Sequence, residues 1–212
     1  TLRDYPASAT SYPARYARAI GLFKNGQTDP ALDAVDALLA EQPDNPYLWE
    51  LRGQILFEEG RPADSLDSHQ RAVQLKPDAP LLRINLAHAL IETNDAARLD
   101  EAVDQLKRAL AAEKDNTMAW RLISQAYASQ GKEGEARLAS AEYWFALGRT
   151  QQATQSALRA RDMLDRNSME WRRAMDIVLA SGATMDDVEA MDRRQQRNRP
   201  AVLAPAAVSP AG

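Results

Sequence analysis

Residues 46 to 79 restrict this chain to one kind of architecture. The segment PYLWELRGQILFEEGRPADSLDSHQRAVQLKPDA reads as two short helices joined by a tight turn. The first helix carries Trp49, Gly53 and Leu56, the turn holds Gly60, and the second carries Ser65 and Ala72 before Pro77 stops it. A bulky residue, a small one where two helices cross and a helix-ending proline, all within 34 residues, define a helix-pair repeat. One such pair has too little surface to cover its own apolar face, so neighbouring pairs must stack on it.

The same register runs through the rest of the chain. The turn residue recurs as Gly26, Gly60, Asn94 and Gly131, at spacings of 34, 34 and 37. Asparagine is the usual replacement for glycine in the left-handed conformation such a turn requires. The small residue of the second helix recurs as Ala31, Ser65, Ala102 and Ala136, and Asp44, Asp78 and Asp115 keep step at the inter-repeat turn. Three extra residues fall between Asn94 and Ala102, where a longer turn absorbs them. This is the tetratricopeptide (TPR) pattern.

The spacing predicts repeats near 12–45, 46–79, 80–116 and 117–148. In the first, one helix runs from about Ala14 to Asn25 and its partner begins near Pro30. A fifth, overlapping unit over 134–167 is marked by Ala141, Trp144, Ala153, Ala157 and Ala160. Ser168 caps a further helix over 168–181 that ends at Gly182. A last helix lies within 183–199, acids first and arginines last, which complements the helix dipole. Residues 1–11 read as an extended lead-in, and the Pro/Ala-rich 200–212 as a disordered tail. No strand pattern competes. The expected fold is an all-α solenoid of about four to five repeats with C-terminal capping helices.

Composition removes several classes of function. A net charge of −4 gives no general attraction to nucleic acid or to an anionic membrane. No apolar run approaches the roughly 20 residues that span a bilayer, and no charged-then-apolar leader is seen. The opening at Thr1 instead of methionine points to a mature or excised fragment. With no cysteine, thiolate chemistry is excluded. No HExxH, nucleophile elbow, Walker A loop or dinucleotide glycine pattern occurs, so no catalytic, cofactor or metal residue is assigned.

The remaining polar features have ordinary readings. His69 is expected as a satisfied structural histidine, and His88 as a groove residue without metal partners at ligand spacing. The pairs Glu58-Glu59 and Asp186-Asp187 read as solvated helix ends, since adjacent helical residues do not face one point. The run RRQQRNR (193–199) lacks interleaved aromatics for base stacking, and Met185, Val188 and Met191 read as packing.

The one functional surface is the groove that a TPR stack forms, lined mainly by the first helix of each pair. Its second, fifth, ninth and twelfth positions should face it. Here these give Tyr16, Ile20 and Phe23, then Tyr47, Glu50, Gln54 and Phe57, then Ile84, His88 and Ile91, and finally Arg121 and Gln125. The set is apolar and aromatic at one end and polar at the other. The lysine and asparagine of a carboxylate clamp are absent, apart from Asn85 beside the groove. The expected ligand is a helix or extended segment of another protein, or of another domain of the same one. The alternative is that several of these side chains pack between repeats.

Four segments carry a family resemblance: YPASATSYPARYARAI (5–20), NPYLWELRGQILFEEGR (45–61), ASAEYWFALGR (139–149) and WRRAMDI (171–177). They resemble the C-terminal TPR region of BepA-like periplasmic zinc metallopeptidases, over about 5–177. The resemblance implies a signal peptide and an HExxH zinc peptidase domain before a TPR domain that packs on it. It also implies a part in quality control and assembly of outer-membrane β-barrel proteins. The HExxH helix and its distal glutamate are not in this sequence, so zinc is expected only in a peptidase domain outside it. The resemblance implies a periplasmic location; a free-standing TPR adaptor in the cytoplasm is the other reading. Residues from Gly182 onward match nothing in that family pattern.

Overall fold

A computed structural model describes residues 5, 6, 8–184, 186–190 and 193. Helices α1 (Tyr12–Lys24), α2 (Thr28–Glu41), α3 (Pro46–Glu58), α4 (Pro62–Leu75) and α5 (Pro80–Glu92) follow one another through short turns. A 3-10 turn, Ala96–Arg98, then leads into α6 (Leu99–Ala112), α7 (Thr117–Ser129), α8 (Glu133–Ala146), α9 (Thr150–Met163) and α10 (Met169–Ala180). Residues 186–190 are also helical, and there is no strand among the described residues. The all-α expectation holds. Residues 185, 191, 192 and 194–199 of the predicted last helix, and the whole tail, lie outside the described residues.

The helix ends follow from the sequence. Proline stands in the first turn of α1, α3, α4 and α5, where its missing N–H would have no partner anyway. The helices expected from about Ala14 and near Pro30 both begin earlier. The helix runs back to Tyr12 in one case and to Thr28 in the other. Asn45, Asn116 and Ser168 cap α3, α7 and α10 by accepting hydrogen bonds from Tyr47, Ala119 and Trp171 N–H.

The turns share one geometry. Gly26, Gly60, Gly131 and Gly148 have φ of 71°, 73°, 72° and 69°. After each, the next N–H reaches back five residues: Gln27 to Leu22 O, Arg61 to Leu56 O, Lys132 to Tyr127 O and Arg149 to Trp144 O, at 2.9 to 3.0 Å. This closure satisfies carbonyls that a helix end otherwise leaves unpaired. Asn94 takes φ 56° but lacks that closure. Asp95 instead accepts from Ala97 N–H and opens the 3-10 turn, which takes up the three inserted residues.

The indoles of Trp49 and Trp120 donate to Pro43 O and Lys114 O, tying each first helix to the loop before it. Gly53 lies under the His69 ring, and a Cβ there would come within 2.8 to 2.9 Å of its atoms. The small residue therefore sits at a real helix crossing. The lead-in is held too: the Arg18 guanidinium donates to Tyr5 O, Pro6 O and Ala9 O, and Ala9 N–H turns back to Pro6 O.

Between α7 and α8 the stack changes its phase. Turn glycines 131 and 148 are 17 residues apart, half a repeat, and the 34-residue step then resumes to Gly182. Helix α8 is therefore the second member of one pair and the first member of the next. Inter-helix contacts follow the same change: α3 touches α5 and α5 touches α7, whereas farther along α8 touches α10. The row of first helices passes from odd-numbered to even-numbered elements.

Candidate functional site

The side chains chosen from register fall into three environments. Phe23, Ile84 and Ile91 are buried and form part of the core between repeats. Tyr16 and Ile20 are half-buried; Tyr16 packs on the first core cluster, and this burial raises its phenol pKa. Phe57 is half-buried against the central core, with its ring centroid 4.7 Å from that of His88. For these residues, close stacking of successive helices uses the surface that a ligand would need.

A second group is engaged in polar links within and between repeats. Glu50 accepts from Asn85 Nδ2 of the next repeat and lies 3.1 Å from His69 Nδ1. Gln54 donates to Glu58, which also receives Lys24 Nζ from the preceding repeat at 3.2 Å. Gln125 donates to Glu92 at 3.3 Å, and His88 Nε2 stands 3.8 Å from the same carboxylate. Burial lowers the His88 pKa; Glu92 opposes that shift and Arg121 adds to it, leaving the imidazole neutral at pH 7. His69 is buried and bonded, as a structural histidine should be.

The third group is open to solvent. Tyr47 is 54% exposed, and Arg121 is exposed with its guanidinium against the Met118 sulfur at 3.1 Å. Leu81 is absent from the twelve residues read from register, yet it is 63% exposed. The 34-residue step from Tyr47 leads straight to it. The open face of the first-helix row thus presents Tyr47, Leu81 and Arg121 over a floor of bonded polar groups. Such a surface offers apolar contact and one cation. Among the described residues no helix is long and apolar enough to cross a membrane.

Comparison with known proteins agrees with this geometry. Residues 34–139, half of the chain, match the family model for the cytochrome c-type biogenesis protein H TPR domain. The "Beta-barrel assembly-enhancing protease" of Yersinia pestis is 30% identical over 140 residues, 66% of this chain and 28% of that protein. The protein of the same name in Escherichia coli K12 is 28% identical over the same shares. The chain thus spans less than a third of the length of these curated relatives. A crystal structure of MamA superposes with a TM-score of 0.59 at 19% identity, covering 84% of this chain and 96% of that one. At that identity the likeness concerns the fold alone. Repeat period, turn geometry and family match together place the chain in the tetratricopeptide-repeat family of the cytochrome c-type biogenesis protein H TPR domain.

Proposed function

We propose that this chain is the non-catalytic TPR region of a β-barrel assembly-enhancing protease in the periplasm, and that it binds protein through the concave face of its first-helix row. The ligand is a substrate, an assembly partner or the peptidase domain of the same protein. The observation behind this reading is the open strip of Tyr47, Leu81 and Arg121 on a rigid stack, in a chain similar over 140 residues to proteins of that name. Large exposed apolar side chains on a preformed surface favour a partner, and a rigid stack loses little conformational entropy on binding. In this reading zinc and hydrolysis belong to the peptidase domain.

The test is photo-crosslinking in the source cells, with the cross-linker at Tyr47 or Leu81 and a control at exposed Asp67 on α4. The reading expects products from the first two positions only, in the periplasmic fraction, containing outer-membrane β-barrel proteins, their assembly machinery or the peptidase domain. Equal products from Asp67, or none from Tyr47 and Leu81, would sink the concave-face assignment. A second reading, a free-standing TPR adaptor, has in its favour a family model whose description mentions no protease. A cytoplasmic product joining two other proteins would select it.

A further inference from the structure

A short sequence recurs on both sides of the phase change. Residues 118–121 read MAWR and residues 169–172 read MEWR. In each the tryptophan stands eleven residues before its turn glycine, Gly131 or Gly182, the same interval as from Trp49 to Gly60. The methionine and arginine therefore hold the second and fifth positions of a first helix in both frames. Helix α7 belongs to the row of α3 and α5, and α10 to the row of α8.

A cross-row link shows which side the first of these positions takes. In the first row, Gln125 of α7, one turn beyond Arg121, reaches Glu92 of α5. In the second, Arg173 of α10 makes a bidentate contact with the buried carboxylate of Glu142 on α8, while Arg172, one residue away, faces a different direction and takes its place from the tryptophan register. Arg121 and Arg172 are themselves exposed, and neither has a carboxylate within 4 Å among the described residues. Asp176 lies one turn beyond Arg172 without closing an ion pair. By contrast Arg52, Arg71 and Arg173 hold Asp36, Asp44 and Glu142. Each free guanidinium follows an apolar thioether by one turn: Met118 half-buried beneath Arg121, Met169 78% exposed before Arg172.

We infer that these two Met-x-x-Arg pairs are equivalent subsites, one on each row, for an extended partner segment that carries an acidic and an apolar residue two positions apart, on one face. The guanidinium takes a carboxylate through two parallel N–H···O bonds. The flexible, polarizable thioether receives the apolar side chain two residues away on the same face. The half-repeat phase change puts the two subsites on different rows, so one chain holds two such segments at once. This inference rests on the concave-face reading above and names the chemistry of its ligand.

The experiment is calorimetric titration of the full chain with a capped extended peptide of the repeat Ser-Leu-Ser-Asp, which places leucine and aspartate alternately on one face. About eight residues suffice to cross two helices at roughly 3.3 Å per residue. Peptides with asparagine or lysine in place of aspartate serve as controls. The expected result is two peptides per chain, one in Arg121→Glu or Arg172→Glu and none in the double variant. Affinity should fall at least tenfold for the asparagine peptide and weaken with added salt. Circular dichroism of the variants should be unchanged, since both arginines are exposed. Equal binding of the aspartate and asparagine peptides, or binding retained in the double variant, overturns the inference. Two equivalents that survive Arg172→Glu, or a single equivalent in the parent chain, overturn the duplication. If the peptide fails to bind while cross-linking at Tyr47 persists, this inference falls and the concave-face reading stands.

Discussion

The arm from α1 to α7 and the unit from α8 to α10 solve the same packing problem with different side chains. In the arm, large aliphatic residues fill the space between helices: Leu38, Leu48 and Ile55 in one cluster, Leu82, Leu86, Leu90, Leu106, Leu122 and Ile123 in the next. In the C-terminal unit the fully buried positions are mostly alanine, at 141, 153, 157, 160 and 174. Bulk there comes from the margins, where Trp144, Phe145, Leu164 and Trp171 pack as half-buried residues. Alanine at the crossing lets helix backbones approach closely, and no helix pair here is in more extensive contact than α8 and α9. An interface built from large side chains is weakened by losing volume; one built from small ones is weakened by gaining it.

That contrast is open to direct attack. Leu86→Ala should cost about 2–5 kcal/mol, the range for deleting a fully buried leucine side chain. Urea unfolding followed by tryptophan fluorescence measures it. Hydrogen exchange should show the loss centred on α5 and its neighbours, because each repeat is stabilised chiefly by those beside it. A loss spread evenly to α9 and α10 would mean that the two regions are one cooperative block.

Ala157→Leu probes the opposite weakness. An overpacked alanine crossing should lose about 1–3 kcal/mol by the same denaturation assay. A neutral result would show that the C-terminal unit has slack and that its alanines do not set the helix spacing.

The two helix-crossing glycines sharpen the comparison further. At Gly53 an added methyl meets the His69 ring, which Glu50 and the surrounding core hold in place. At Gly134 it meets the far end of the Leu164 side chain, at 2.9 Å. Gly53→Ala should therefore cost about 1–3 kcal/mol. Gly134→Ala should be near neutral, because Leu164 can rotate and alanine gains up to about 1 kcal/mol of helix propensity. Thermal melts of the two variants side by side decide the matter; equal losses would place both glycines in equally rigid crossings.

The smallest effect concerns pH. Burial lowers the His88 pKa in the folded chain, so the unfolded state binds more protons as pH drops through the ordinary histidine range. Its contribution is complete above that range, is lost as pH falls toward the folded-state value, and is flat below it. Stability of the parent relative to His88→Gln, measured from pH 7.5 down to pH 5, should decline accordingly. A rising difference would reverse the sign and place a stronger anionic partner at His88 than Glu92 at 3.8 Å.

Much of the architecture was legible in the chain itself. The glycines and the asparagine in the turns, the tryptophans that bind the preceding loops and Gly53 all act locally, within a few residues or one helix pair, so their spacing announces them. Even the phase change is present in the 17-residue step from Gly131 to Gly148. The site was less legible. Register chose Tyr47 and Arg121, which are exposed, together with Phe23, Ile84 and Ile91, which are buried, and passed over exposed Leu81.

The sequence by itself determined the helix pairs, their turns and their order, because hydrophobic period and backbone conformation are set by near neighbours. Tertiary structure decided which positions of each first helix stay open. It joined Glu50 to Asn85, 35 residues apart, and Glu142 to Arg173, 31 apart. Side-chain exposure depends on how near the next helix stands, and that distance is set by the residues of a different repeat.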